Sequence, residues 1–585
     1  MSTRVELAAP QRVVCVIDHL HRDIAVATEA RCGRFIHAGV ELQFGRSPDW
    51  INGGLADDPE WRIEWVKLYE GLDLAHAYTV TGDASFLTTW EDLVEGFCDQ
   101  VPVGTDSADV TARRIQNWLY AWLRFAEAPQ FQGLRPGLAD RLTQRIAEDA
   151  QHLRANLTAQ RNHRTLELYA LLIVGLSLPD DLDRLARFAL DQLGENLLTD
   201  VWSDGVHREC STDYHCIALR SYLGAIANAR RAGLELPEGY IDRVSLALDF
   251  AMHIQRPDGL TPSFSDGDIG DFRGLLALGA DLLDRDDLRW VASGGQAGTP
   301  PAVRDATFSV GGYLTARSGW GAGRDASVDE RFMLMDAGPI GDGGHGHYDQ
   351  LSIELYANGR SLVVDPGRYT YAHTPWRHWF KGSKAHNTVT VDGLDQTPYR
   401  HAAPKKTTSQ ARVVRRESRD DLDAIEAEAT SPQHDVLHTR RVLFLGRDYW
   451  VVHDHVHGEN DHTYEARWHL PADAEGRVTV VPNSNHTVVR TPAGTLVIPA
   501  GLAVEIEPGW VSASYGIKEP APIVVVRATG TQADIVTVLS PGDADVVIDD
   551  QSLDGSLHCL VRRGATTDLI QWAPDRGVAW ERRTT

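Results

Sequence analysis

The hydrophobic period of this chain changes once, near the glycine- and proline-rich stretch Gly294 to Pro301, and that change restricts the folds open to it. Before it, apolar residues recur at three- and four-residue steps. Trp65, Leu68, Leu72, Ala75 and Tyr78 run to a stop at Thr81-Gly82-Asp83, the pattern of an amphipathic helix. Similar stripes cover Ile115 to Phe125, Leu142 to Leu157, Leu166 to Val174, Ala218 to Ala232 and Val244 to Ile254, with Pro129, Pro136, Pro237 and Pro257 between them. After it, short alternating runs take over, among them Tyr313 to Ala316, Leu351 to Tyr356, Arg440 to Leu445 and Ile535 to Leu539. Asn358-Gly359, Asp392-Gly393 and Pro541-Gly542 supply turn signals between strands. At 585 residues the chain is too long for one core. The pattern predicts a helical domain over 1–300, a central antiparallel β domain over 301–475 and a C-terminal β domain over 476–585.

Just inside the β half, three histidines and two aspartates fall within about forty residues: His345-Gly346-His347-Tyr348-Asp349, Asp365-Pro366-Gly367 and His386-Asn387-Thr388. Imidazole and carboxylate together suit a borderline divalent cation, zinc first. A histidine beyond the metal's needs is free for proton transfer. The plain alternative is a set of hydrogen-bonding residues at strand ends. If the segment is a strand, His345, His347 and Asp349 share one face and could hold an ion without Asp365. In the helical half, Arg161-Asn162-His163 and Glu209-Cys210-Ser211-Thr212-Asp213-Tyr214-His215 each lead into a helix, and polar groups at helix N-termini are placed to receive a carboxylate. Taken singly, Asn162 reads as a cap and Tyr214 as a buried aromatic.

Charge sets bounds on the partner. A formal net charge of −25 argues against nucleic acid and anionic membranes as ligands. Between Arg368 and Arg416 the sign reverses locally. Arg368, Arg377, Lys381, Lys384, Arg400, Lys405, Lys406, Arg412, Arg415 and Arg416 face only Asp392 and Asp395 there, which favours a small or polymeric anionic ligand. Six scattered cysteines show no CxxC and no disulfide spacing. With no apolar leader and no membrane-length run, the expectation is a cytoplasmic protein. A homo-oligomer is compatible with all of this.

Ordered along the chain, several motifs resemble the heparinase II/III family of polysaccharide lyases. They are Asp58-Pro59-Glu60-Trp61, Tyr78-Thr79-Val80-Thr81-Gly82-Asp83, Arg114-Ile115-Gln116-Asn117-Trp118, Asn162-His163 and Tyr214-His215, then the histidine and aspartate series of the β half, ending in His386 to Gly393. The resemblance implies an (α/α) toroid followed by stacked antiparallel sheets. The reaction it implies is β-elimination on a uronic-acid glycan. It assigns Asn162 and His163 to neutralising the substrate carboxylate, so that the adjacent C5 proton becomes removable. Tyr214 becomes the proton donor to the departing O4, and His345 an alternative base. The metal is carried onto His347, Asp365 and His386 as a structural divalent ion, zinc first, with Asp349 orienting an imidazole. Arg114 and Trp118 are expected to bind substrate, and Arg377 to clamp its carboxylate.

The absence of an export signal leads to the further expectation of an exo-acting enzyme trimming imported oligosaccharides. Two other readings stand beside the lyase. A toroidal glycoside hydrolase needs paired carboxylates, and Asp266 or Asp268 is on offer. A non-catalytic carbohydrate-binding protein would need none of the proton-transfer groups.

Overall fold

The computed structural model describes residues 10–45, 48–178, 183–321, 329–342, 344–400, 408–573 and 576–584; the expected basic residues Lys405 and Lys406 lie outside them. By its internal contacts the chain divides into one unit of residues 1–201 and 216–245, and a second of 202–215 and 246–585.

The first unit is helical, and its helices alternate in character. Glu70–Thr81, Ala108–Glu127 and Arg161–Ser177 pack on one another in sequence and are buried around most of their circumference. Ala84–Gln100 and Leu138–Ala155 bury a single stripe and leave the other side wet, as outer helices do. This inner–outer alternation is the toroid. Local chemistry fixes the boundaries. Asp58 and Asp83 cap their helices by accepting hydrogen bonds from Glu60 and Ser85 N–H, and Gly82 ends Glu70–Thr81 in the left-handed region at φ 73°.

Arg114 and Trp118 lie inside this unit. Trp118 is fully buried against Phe97. The Arg114 guanidinium stacks 4.3 Å from the Phe97 ring and pairs with Asp106 at 2.7 Å. Burial alone would raise the Asp106 carboxyl, but Arg114 and Arg62 hold it below its ordinary value. Both side chains are therefore enclosed by their own helices, and the expectation that they bind substrate is corrected to a packing role.

The second unit is three layers of antiparallel sheet. Ala306–Phe308, Tyr313–Arg317, Arg331–Asp336, Ile353–Ala357 and Arg360–Val363 form a five-stranded meander. A ten-stranded sheet is built around Tyr449–His469 paired with Ile517–Pro541. The four strands from Val546 to Thr584 make the third. Period-two alternation sorts the middle layer. Val442, Phe444, Trp450 and Val452 face Leu314, Met333, Ile353 and Leu355 of the meander, while Leu443, Leu445, Val451 and Val536 face Ile548, Val561 and Trp572. The expected boundary at 475/476 is not a domain boundary, because Thr479–Pro482, His486–Arg490, Gly494–Pro499 and Ile517–Pro541 complete the same central sheet. The helices Arg273–Leu283 and Asp286–Ala292 belong to this second unit, so the helical domain does not run to residue 300.

Trp118→Ala should destabilise the helical unit by about 3–5 kcal/mol, the loss for a fully buried large aromatic, read as a shift of its urea midpoint in far-ultraviolet circular dichroism. An unchanged midpoint would return Trp118 to the list of candidate ligand-binding residues.

Candidate active site

The histidine motif lies in an irregular connection between Arg331–Asp336 and Ile353–Ala357, so the one-face argument for a strand does not apply to it. Its path is set by close packing. A Cβ on Gly346 would sit 1.5 Å from the Ile340 carbonyl oxygen, so only glycine can separate His345 from His347. The same connection is tied to residues 202–215, with Asp342 N–H bonded to the Arg208 carbonyl at 2.9 Å. Ser211 donates to the Asp266 carbonyl at 2.7 Å and accepts from Tyr214 N–H at 3.3 Å, fixing where the tyrosine leaves the backbone. Cys210 and Ser265 on either side of this contact are non-glycine residues in the left-handed region, at φ 51° and 61°. Such positions cost on the order of 1–3 kcal/mol each and persist where surrounding contacts hold them.

Asp266 is the hub. Its fully buried carboxylate receives two N–H groups of Arg377, one contact at 2.7 Å, with His345 Nδ1 at 3.0 Å and His347 Nε2 at 2.8 Å. Burial works to raise this carboxyl, yet Arg377 and the two imidazole hydrogen bonds hold it well below the usual carboxylate range. An ionised carboxylate only accepts hydrogen bonds. The nitrogens that face it, Nδ1 of His345 and Nε2 of His347, therefore carry protons, and in each neutral ring the lone pair falls on the other nitrogen, Nε2 of His345 and Nδ1 of His347.

The Tyr214 ring stacks on His345, with centroids 3.9 Å apart and planes at 25°. The Tyr214 hydroxyl meets that of Tyr371 at 2.9 Å, and Arg368 Nη1 donates to the Tyr371 oxygen at 2.5 Å. Arg368 occupies one lone pair of the Tyr371 oxygen, and the two phenols share the next hydrogen bond, in which either hydroxyl can be the donor. Burial pushes the Tyr371 hydroxyl well above its ordinary range, against the opposing pull of Arg368, which keeps it a neutral relay. Arg368 is itself anchored by both oxygens of Asp268 at 2.9 Å. His345 Nε2 lies 3.7 Å from Glu209, beyond hydrogen-bonding reach.

A second cluster lies behind this one. His386 Nδ1 bonds to Asp365 at 2.8 Å, which leaves Nε2 as the nitrogen a cation could take; burial works to lower this imidazole, but Asp365 holds it above its ordinary value, so an ion there displaces a proton. Among the described residues, neither His386 Nε2 nor His347 Nδ1, both buried, has a hydrogen-bond partner. One ligand atom each from His347, Asp349 and His386 lie within 4.8 Å of one another. Burial pushes the Asp349 carboxyl up to about 6, with His386 opposing. Two lone-pair nitrogens and a carboxylate, all buried, fit a divalent ion such as zinc. Where the resemblance assigns Asp365 as a ligand, the geometry brings in Asp349 and sets Asp365 on the far nitrogen of His386, because the 363–367 turn reaches that ring from its Nδ1 side.

Family models match in two blocks: Heparinase II/III N-terminus over residues 26–278 and Heparinase II/III-like, C-terminal over residues 300–548. The chain belongs to the heparinase II/III family of polysaccharide lyases. The heparin-sulfate lyase of Pedobacter heparinus is 25% identical over 531 residues, covering 86% of this chain and 77% of that protein. That of Bacteroides stercoris is 23% identical over 524 residues, covering 82% and 75%. Among solved structures, a heparinase III aligns over 100% of this chain and 94% of its own, with TM-score 0.79 and 16% identity. A heparan sulfate lyase mutant from Pedobacter heparinus gives 0.68 and 22% over 96% and 90%.

Within this heparinase-like chain, the expected residues fall in three groups. Tyr214, His345 and Arg377 meet around Asp266, but Arg377 clamps that internal carboxylate rather than presenting a free guanidinium. His347 and His386 converge on Asp349. In the helical unit Asn162 is buried in the first turn of Arg161–Ser177, and His163 stays half-exposed, its Nδ1 3.6 Å from Asp109. Tyr371 and Arg368 were not singled out as site residues by the sequence, although both lie within four residues after Asp365-Pro366-Gly367. The carboxylates a hydrolase would use, Asp266 and Asp268, are each locked to an arginine.

Asp266→Ala should strip the counter-charge from buried Arg377 and the hydrogen bonds from both imidazoles. We expect a loss of about 3–5 kcal/mol, as for breaking a buried ion pair from one side, measured by urea unfolding. A variant as stable as the parent would show that Asp266 is not the anchor.

Proposed function

We propose that this polysaccharide lyase cleaves uronate-bearing glycans from a chain end, with Tyr214 and His345 moving the protons. The observation that carries the reading is the stacked Tyr214–His345 pair, in which a hydroxyl backed by Tyr371 and Arg368 lies beside an imidazole whose Nε2 keeps its lone pair. In elimination the base removes the C5 proton, electrons flow to form the C4–C5 double bond, and the O4 leaving group takes a proton. Tyr214 is matched to the donor role, with Tyr371 hydrogen-bonding the oxygen as it gains negative charge. His345 Nε2 is matched to the base where C5–H and O4 lie on opposite faces of the sugar. Where they share a face, Tyr214 can serve both steps. Asn162 and His163 are assigned, on the family resemblance, to hydrogen-bonding the substrate carboxylate as the enolate forms.

Heparan-sulfate-type oligosaccharides are the first substrates to test, because the curated relatives carry that name. Release from an end, rather than internal cleavage, accords with a net charge of −25, which repels long polyanions, and with Arg368 and Arg377 being engaged by aspartates. A cytoplasmic setting accords with six cysteines scattered without a disulfide-framework spacing. For the second cluster, we propose one divalent ion, zinc by donor set, on His347 and His386 with Asp349. When bound, it neutralises buried negative charge and pins the loops that carry His345; it takes no part in proton transfer.

The decisive assay is ultraviolet absorbance on a panel of uronate oligosaccharides, since elimination alone creates a conjugated double bond. Tyr214→Phe removes only the phenolic oxygen and should cut turnover by at least about 10²–10⁴-fold with the fold intact; near-normal elimination would remove Tyr214 from the mechanism. Chain-end release predicts one small unsaturated product from the first minutes, and an early ladder of sizes would refute it. Metal analysis should find close to one equivalent, lost in His347→Ala and in Asp349→Asn. Full metal in both variants would overturn the assignment, and loss in Asp365→Asn alone would return the carboxylate ligand to Asp365.

A further inference from the structure

Arg377 and Arg368, the arginines beside the catalytic pair, are each engaged by an aspartate. Lys518 differs. Among the described residues no carboxylate lies within 4 Å of its ammonium, which instead sits over three aromatic rings, 4.1 Å from the Trp510 centroid, 4.3 Å from Trp376 and 5.1 Å from Tyr369. All three are within cation–π range. The indoles of Trp376 and Trp510 meet edge to face at 5.4 Å. Trp376, Trp510 and Lys518 are each partly exposed.

This group is joined to the catalytic loop. The hairpin of Ala503–Ser514 and Ile517–Pro541 is stitched to residues 366–371 by Ser512 N–H to the Pro366 carbonyl at 2.8 Å, Gly516 N–H to the Tyr369 carbonyl at 2.8 Å, and Tyr371 N–H to the Tyr515 hydroxyl at 3.0 Å. Tyr369, one wall of the cage, is two residues from Tyr371, which bonds Tyr214. Their Cα atoms are at most about 7 Å apart.

A packing role alone does not call for a charge here. A Met or Leu would fill the space between the rings without leaving an ammonium uncompensated by any acid, in a chain carrying 82 acidic residues. Held by ring faces, the amino group has N–H donors left for a ligand. Flat indole faces stack on pyranose rings, and an ammonium pairs with carboxylate or sulfate.

We propose that Lys518, framed by Trp376 and Trp510, is a substrate-binding subsite for an anionic group, carboxylate or sulfate, on a sugar flanking the cleaved linkage. The inference rests on the lyase reading above. It makes Lys518, rather than Arg377, the charge that recognises the glycan next to the reacting sugar.

The test compares wild type, Lys518→Met and Lys518→Arg on heparan-type oligosaccharides of one length, either sulfated, desulfated or carboxyl-reduced away from the cleaved uronate. Lys518→Met should raise KM roughly tenfold, the loss for one charge-assisted contact, with kcat held, and Lys518→Arg should restore most of it. The KM penalty should vanish on the desulfated series if sulfate is the ligand group, or on the carboxyl-reduced series if carboxylate is. Equal KM for Lys518→Met and wild type on every series, or a fall in kcat alone, would overturn the subsite. A wild-type enzyme that eliminates none of the series would instead overturn the lyase reading. Direct binding of the sulfated oligosaccharide by calorimetry keeps the two failures apart, since weaker binding to Lys518→Met needs no turnover.

Discussion

One buried carboxylate organises the catalytic face of this protein. Asp266 sits where four N–H groups converge, two from Arg377 and one each from His345 and His347. Because it is ionised and can only accept, it decides which nitrogen of each imidazole bears a proton. That single constraint points Nε2 of His345 toward the Tyr214 side and Nδ1 of His347 toward His386 and Asp349. The proposed proton-transfer pair and the proposed ion site thus share one electrostatic anchor.

A second buried charge holds the backbone of the same region. Arg440 is fully enclosed, paired through two nitrogens with Asp454 at 2.7 and 2.9 Å. It also donates to the carbonyls of Leu351 and Asn387. Those two residues flank Asp349 and His386, so the central sheet reaches into the loops and fixes their spacing. His438 adds a bond to Asp454 at 2.7 Å. Burial works to raise the Asp454 carboxyl, but Arg440 and His438 hold it well below the carboxylate range. Charges buried in this way specify geometry more than they add stability.

The sequence made the fold class and the order of helix and strand legible, because both depend on local hydrophobic period. It exposed Tyr214, His345, His347 and His386 because each lies in a compact motif. It was silent on partnerships made across long separations. Nothing near Arg377 in sequence announces that Asp266, 111 residues earlier, takes its charge, so a guanidinium in a loop read as a substrate clamp. Trp118 and Arg114 were misread for a related reason: a motif marks residues that matter without saying whether they face a ligand or a core. Asp349 and Asp365 reach the His386 ring from different sides, a matter of loop path rather than strand alternation. The cage around Lys518 joins three segments that share no motif.

The tautomer of His345 is the most direct probe of this account. Nitrogen-15 spectra of selectively labelled histidines, assigned with His345→Gln, report protonation at each ring nitrogen. At neutral pH the account predicts a protonated Nδ1 and an unprotonated Nε2 for His345, with that preference lost in Asp266→Asn. A proton on Nε2 in the parent protein, or a tautomer indifferent to Asp266→Asn, would contradict it.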